Sequence, residues 1–462
     1  MFDTKVYSSR RKVLAGKVGD GIVLLLGNGE AECNYADNAY LFRQDSTFLY
    51  YFGLDKPSLA GVIDTATGEE VIFGDDVDMD DIIWMGPQPR IAEEAATVGV
   101  GATAPLSALA GYLKEASLKG RRIHFIPQYR SHNRIMLHRL LGMGLDEVDA
   151  SSSDALVMAV ISQRLIKEKC EIDEIDKACN LGYAMHYTAM KLMREGMVEQ
   201  ELVGAMEGVC ISGGYMTSFP TILSQHGETL HNHRHDGVLS AGKLCVIDAG
   251  AEIASHYASD FTRTWPVGGR FTTRQKEIYT IVSTANQYAL ETARPGITYK
   301  DVHLGASRII LQGLSNLGLV KGDMEEMIAA GVQGLFMPHG LGHNMGLDVH
   351  DMENLGELWV GYNGEPKSTL FGLKSLRLAR PLEPGFVFTI EPGIYFIPEL
   401  IDRWRAEGRF TQFLCYDAID RWRHFGGLRN EENYLITPTG ARLLGHKRKP
   451  MSIDEIYAVR QG

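Results

Sequence analysis

The stretch PHGLGHNMGLDVHD, Pro338 to Asp351, carries His339, His343 and His350 with Gly340, Gly342 and Gly346 between them. His339 and His343 have the i, i+4 spacing of a zinc-binding helix. The residue after His339 is Gly340 rather than Glu, however, and each glycine costs about 1 kcal/mol against alanine inside a helix. The segment therefore reads as irregular backbone that carries imidazoles to a site. If only some of them bind metal, the remaining ligands come from elsewhere in the chain, and those ligands must be carboxylates.

Four β-type pieces of the second half each carry an acid in an apolar or mixed setting: KLCVIDAGA with Asp248, DFTRTWPV with Asp260, GFVFTIEPGIYF with Glu391, and LRNEENYLIT with Glu431 and Glu432. Burying an unpaired charge is costly, so each implies a partner. Asp260 follows Asp248 by 12 positions, enough for two strands to return side by side and bring the carboxylates together. In the last piece, strand alternation puts Arg429, Glu431 and Asn433 on one face and Glu432 on the other, so one of the two adjacent glutamates faces a site. Four carboxylates and one imidazole form a hard, oxygen-rich set. It suits two divalent ions better than one tetrahedral zinc, with manganese the first candidate and cobalt or zinc the alternatives. Taken singly, an acid after an apolar strand is more often a cap or an ion pair; four of them with a histidine-glycine segment in one region point to metal.

The surrounding chain sets bounds. At 462 residues it exceeds one ordinary core and predicts two or three domains. Its composition, 45% apolar and 23% charged, is that of a globular protein, and its one apolar burst near the N-terminus, GIVLLLG, is too short to span a bilayer. The net charge of −12 argues against nucleic acid or an anionic membrane as partner and favours small substrates. Six scattered cysteines without a C-x-x-C pair, and no evident export segment, predict reduced thiols and a cytoplasmic location.

Residues 1–165 alternate short strands (GIVLLL, LAGVIDT, EEVIFG, RIHFI) with helical stretches such as PLSALAGYLKEA, which predicts a small α/β domain. Residues 166–462 form a second domain. Long 3.6-period runs open it, beginning with SDALVMAVISQRLIKEKCEIDEIDKACNLGYAMHYTAMKLMREG across the boundary, and two further helical stretches precede the histidine segment.

Together these residues resemble the pita-bread metallopeptidases, specifically the branch of Xaa-Pro aminopeptidases and Xaa-Pro dipeptidases (prolidases). FRQDSTFLYYFGL, Phe42 to Leu54, resembles the N-terminal domain signature of that branch. VIDAGAE, SDFTRTWPV, MPHGLGHNMGLDVHD, FTIEPGIYF and GLRNEENYLIT resemble its five catalytic blocks in order. The implied fold is α/β (α+β), a small N-terminal α/β domain followed by a pita-bread catalytic domain. The implied metal ligands are Asp248, Asp260, His343, Glu391 and Glu431, which selects Glu431 over Glu432. His339 and His350 are implied to stay off the metal on the substrate side, and His231, in the LH step, to lie on the leaving side of the scissile bond. Glu391 is implied both to ligate and to accept the water proton, Arg429 to orient an acid behind the ligands, and Arg377 to hold a dipeptide's free carboxylate. The block departs from the family at Asn430, usually aliphatic, and at Glu432, more commonly Asp.

The expectation is thus a metallo-exopeptidase cleaving small peptides with proline at the second position. An Xaa-Pro dipeptidase is favoured by Arg377 and by the long insertion before Arg429, with an aminopeptidase acting on longer peptides as the alternative and a homodimer as the implied assembly. A metal-free creatinase-like hydrolase or a non-catalytic binding module of the same fold would lack ligands that this chain retains. For His226, His233 and His235 the expectation is an exposed polar loop.

Overall fold

The computed structural model describes residues 2–447 and 449–461, and the chain divides into two compact units. One runs to Arg164 and includes Met352–Gly356; the other comprises Leu165–Asp351 and the chain from Glu357 onward.

In the first unit β1 (Ile22–Leu26), β2 (Ala60–Asp64), β3 (Glu70–Phe73), β4 (Ala102–Ala104) and β5 (Ile123–His124) form one sheet in the order β4-β3-β2-β1-β5. β1 pairs antiparallel with β2 and parallel with β5, so the sheet is mixed. Every residue of β1 and β2 is buried, as an unbroken run such as IVLLL requires of a central strand. Ile22, Leu24, Val62 and Phe73 pack with Leu109, Leu113, Leu137 and Val148 from the helices Leu109–Leu118, Ser131–Leu141 and Leu145–Ala150. The signature FRQDSTFLYYFGL folds as the helix Ser46–Phe52, started by Asp45, whose carboxylate accepts from the Phe48 amide at 2.9 Å, and stopped at Gly53 in the left-handed region (φ 63°). A side chain at Gly53 would collide with the Tyr7 ring.

The second unit holds the long helices Lys169–Leu192, Glu199–Gly213, Thr273–Thr292 and Tyr299–Asn316. Thr272 and Thr298 cap two of them by accepting the amides of Gln275 and Asp301. The run read from sequence as continuous helix past Ser152 is divided instead into Asp154–Arg164 and Lys169–Leu192. Between them Lys167 turns away, its amide bonding the Gly385 carbonyl and its ammonium the Asp351 carboxylate at 2.7 Å. Tertiary partners outweigh helical propensity there.

The remaining strands are short: β6 (Met216–Thr217), β7 (Ile222–Ser224), β8 (Leu244–Asp248), β9 (Ala251–Glu252), β10 (Thr262–Pro266), β11 (Val387–Ile390), β12 (Gly393–Tyr395), β13 (Gly427–Arg429), β14 (Glu432–Thr437) and β15 (Gly440–Leu443). They pair as β10-β8-β7, β11-β14-β15, β12-β13 and β6-β9. Among the described residues no helix is long and apolar enough to cross a membrane.

Candidate active site

β8 and β10 run antiparallel with Asp248 opposite Thr262, so the return after twelve residues brings Asp260 beside Asp248, as the spacing predicts. The histidine segment is irregular rather than helical. It lies along β11 through bonds between Leu341 and Glu391, His343 and Thr389, and Met345 and Val387. That pairing needs Gly342, where a side chain would strike the Thr389 carbonyl oxygen. Glu431 sits between β13 and β14, and its amide donates to the Thr262 carbonyl at 2.9 Å, which closes the ring of strands around the acids.

One atom each from Asp260, His343 and Glu431 lies within 4.8 Å of the others, a spacing that one ion can span. His343 Nε2 is 3.2 Å from Asp260 Oδ2 and 4.0 Å from Glu391 Oε1. His343 Nδ1 lies 3.0 Å from the Asn344 carbonyl, which accepts its proton and leaves Nε2 as the lone-pair nitrogen facing the acids. Oxygens of Asp248 (Oδ1), Asp260 (Oδ1) and Glu431 (Oε1) are buried with no hydrogen-bond partner. Burial first, and then the neighbouring carboxylates, holds Asp260 and Glu431 well above the ordinary carboxylate range. Glu391 is raised by burial, against the pull of His343 and Arg429. Orphaned, mutually repelling buried oxygens are what divalent cations would satisfy, so the donor set fits metal.

Arg429 is fully engaged: Nη2 donates to Asp248 Oδ2 at 2.5 Å, Nη1 to the Tyr395 hydroxyl at 2.7 Å and Nε to Thr262 Oγ1 at 3.0 Å. The Thr262 hydroxyl in turn donates a hydrogen bond to Glu431 Oε2 at 2.9 Å. His339 has both ring nitrogens occupied, Nδ1 donating to the Gly340 carbonyl at 2.7 Å and Nε2 accepting from Tyr395 at 2.9 Å. Burial, with Arg429 near, pushes its pKa down to about 3, so it is neutral, with both nitrogens anchored. The His350 ring meets the His343 ring edge-on with centroids 4.2 Å apart.

All ten residues singled out from the sequence line one cavity of about 700 Å³: His231, Asp248, Asp260, His339, His343, His350, Arg377, Glu391, Arg429 and Glu431. Phe219, Pro220 and Ile222 form an apolar wall. Burial and Arg429 lower the pKa of His231. His233, expected in an exposed loop, is exposed but lines the mouth of the cavity, whereas His226 pairs with Glu228 and His235 with the Leu223 carbonyl. Sequence reading missed Thr262 and Tyr395. Both lie an even number of positions from a singled-out acid, two after Asp260 and four after Glu391, so strand alternation could have found them.

Comparison with known proteins agrees with this geometry. Residues 173–438 match the metallopeptidase family M24, and residues 7–124 match the N-terminal domain of aminopeptidase P. The chain is 32% identical to a human Xaa-Pro dipeptidase over 96% of its own length and 89% of that protein's. It is 29% identical to a probable Xaa-Pro aminopeptidase of Aspergillus niger over 97% and 94%. The structure superposes on Escherichia coli aminopeptidase P with the inhibitor Pro-Leu at a TM-score of 0.81 and 29% identity, covering all of this chain and 98% of the other. The mixed sheet of the first unit and the acid-lined ring of strands in the second are therefore the aminopeptidase P-type N-terminal domain and the pita-bread catalytic domain, and the chain belongs to metallopeptidase family M24.

Proposed function

We propose that this protein is a metal-dependent exopeptidase that hydrolyses Xaa-Pro bonds, and that it acts as an Xaa-Pro dipeptidase. The observation that carries the reading is the convergence of Asp260, His343 and Glu431 within 4.8 Å, with partnerless buried carboxylate oxygens facing the same cavity. Asp248, Asp260, His343, Glu391 and Glu431 would hold two divalent ions, manganese first and cobalt or zinc next. Such ions, when bound, polarise a carbonyl and make water acidic enough to supply hydroxide near neutral pH.

The chain's own groups do the rest. Glu391, partly open to the cavity, takes the proton of the attacking water. His231 and His350 donate to the oxygen that gains charge and to the departing proline. Arg429 holds Asp248 in place through its Nη2–Oδ2 hydrogen bond, and the apolar wall of Phe219, Pro220 and Ile222 suits a proline ring. Arg377, on the same cavity, is a guanidinium fork for the free carboxylate of a dipeptide. The dipeptidases among the relatives, at 32% identity, favour the same choice. The structural likeness to an aminopeptidase P supports the second reading, action on longer peptides.

A homodimer is part of the proposal. The helix Met79–Met85 buries none of its residues and leaves Ile83 68% and Trp84 85% exposed, an apolar surface of the kind that partners cover. The six scattered cysteines, with no C-x-x-C pair, suit the proposed cytoplasmic location.

The test is hydrolysis of an Xaa-Pro dipeptide and of the same sequence extended by several residues, by manganese-loaded protein. Preference for the dipeptide is expected; preference for the longer peptide would establish the aminopeptidase instead. Cleavage of neither would overturn the reading.

A further inference from the structure

We propose that Lys449, from the C-terminal segment, is a positioning residue for the metal site, holding Glu431 and Asp260 through the side chains next to them in sequence. The inference rests on the metal reading above. Glu431 and Glu432 are consecutive and point opposite ways, Glu431 into the cavity and Glu432 into the core, where it is 1% exposed. There Glu432 lies between two buried cations, Arg263 through Nη2 and Lys449 through Nζ at 2.8 Å. The same Lys449 ammonium stands 3.0 Å above the ring centroid of Phe261, the residue after Asp260. One buried charge thus touches the immediate neighbours of two ligand candidates that sit at the starts of different strands, Asp260 before β10 and Glu431 before β14.

Because successive side chains on extended backbone leave opposite faces, anchoring the neighbour on the far side restrains the backbone from which the ligand projects. The inner side of this junction is already tied. Asn433 Nδ2 donates to the Asp260 carbonyl, and the Asp260 amide donates back to Asn433 Oδ1 at 3.0 Å. Arg263 Nη1 donates to the carbonyls of Thr262 and Glu431, both at 2.9 Å. Lys449 closes the outer side. Charge neutralisation alone does not call for it, since Arg263 already balances Glu432. A second buried cation is costly: burial, and then Arg263, pulls the Lys449 pKa down to about 8. Its segment is fastened behind the site, with Arg263 Nε donating to the Pro450 carbonyl at 3.2 Å and the Tyr279 hydroxyl to the Met451 carbonyl at 2.7 Å.

The experiment measures manganese binding to the metal-stripped full-length protein by isothermal titration, with circular dichroism as the check on folding. Lys449→Met is expected to bind about 10- to 100-fold more weakly than wild type, the range for groups that orient ligands from behind. It should regain wild-type kcat when manganese is saturating and leave KM for peptide unchanged. Lys449→Arg, which keeps the charge, is expected within threefold of wild type. Leu314→Ala, a buried core deletion on the helix Tyr299–Asn316, supplies a destabilised control that should bind manganese as wild type does. The proposal is overturned if Lys449→Met also binds within threefold of wild type, or if Leu314→Ala weakens binding equally. Should Lys449→Met not fold, Lys449→Gln is read by the same criteria. Wild-type protein that binds no manganese would instead overturn the metal site itself.

Discussion

Replacing Thr262 with Val removes one hydroxyl from the centre of the site and keeps the side chain's shape. Thr262 is fully buried; its Oγ1 donates to Glu431 Oε2 at 2.9 Å and accepts from Arg429 Nε at 3.0 Å. The bond to the Arg429 cation contributes about 1.5–3 kcal/mol, and the bond to Glu431, whose carboxyl is held above the ordinary range without metal, about 1 kcal/mol. The valine variant also leaves the Arg429 Nε–H buried without an acceptor, while Asp248 and Tyr395 continue to hold the other two nitrogens. The metal-free variant is therefore expected to lose about 2–4 kcal/mol, on the order of 10 °C in Tm for a unit of this size. Glu431 without its donor should bind metal about 10- to 100-fold more weakly. Calorimetric unfolding of the metal-stripped protein reads the first effect and manganese titration the second, and Thr262→Ser, which restores the hydroxyl, should recover both. Losses under 1 kcal/mol with unchanged metal affinity would refute the reasoning, because the hydroxyl would then not be the link between Arg429 and Glu431.

Asp260→Asn should abolish peptide hydrolysis and yet raise the unfolding temperature of the metal-free protein, because it relieves a carboxylate raised by its burial and then by its neighbours; saturating manganese should stabilise wild type but not the variant. A lower apo Tm in the variant would contradict this. Arg377→Ala is expected to cut kcat/KM for an Xaa-Pro dipeptide about 100-fold, near 3 kcal/mol for a charge-assisted pair, and to spare longer peptides; equal losses on both would return Arg377 to a structural part. His303 is buried and its pKa is pushed down to about 4 by burial, so the folded protein stays neutral there while the unfolded chain takes a proton below about pH 6.5. Its contribution is complete above pH 6.5 and is lost as pH falls towards 4, up to about 3 kcal/mol, from 1.36 kcal/mol per pKa unit. His303→Leu should flatten the wild-type decline in urea-unfolding stability across that window by this amount, and parallel curves would exclude the assignment.

Much of the site was legible because each ligand candidate sits in a short, chemically lopsided stretch: an acid after an apolar strand, or histidines among glycines. Asp248, Asp260, His343, Glu391 and Glu431 could be picked out and then found on one cavity. The choice of Glu431 over Glu432 was half-legible. Alternation separated the two faces, but only packing shows Glu432 turned to Arg263 and Lys449. Thr262, Tyr395 and Lys449 carry ordinary residue types in ordinary surroundings, and their importance lies in partners from 17 to 188 positions away. His339 shows the converse, since its motif is plain in sequence while the engagement of both its nitrogens is not.

Local pattern by itself therefore settled the element types, the acidic and histidine-bearing character of the site, and the class of chemistry it supports. Those follow from period, propensity and residue type, which act over a few positions. Which oxygens are left without partners, which imidazole keeps a lone pair towards the acids, and how five separate stretches of chain close around one point required the folded chain. Hydrogen bonding and burial there depend on groups that sequence separates by up to 181 residues and packing brings within 3 Å.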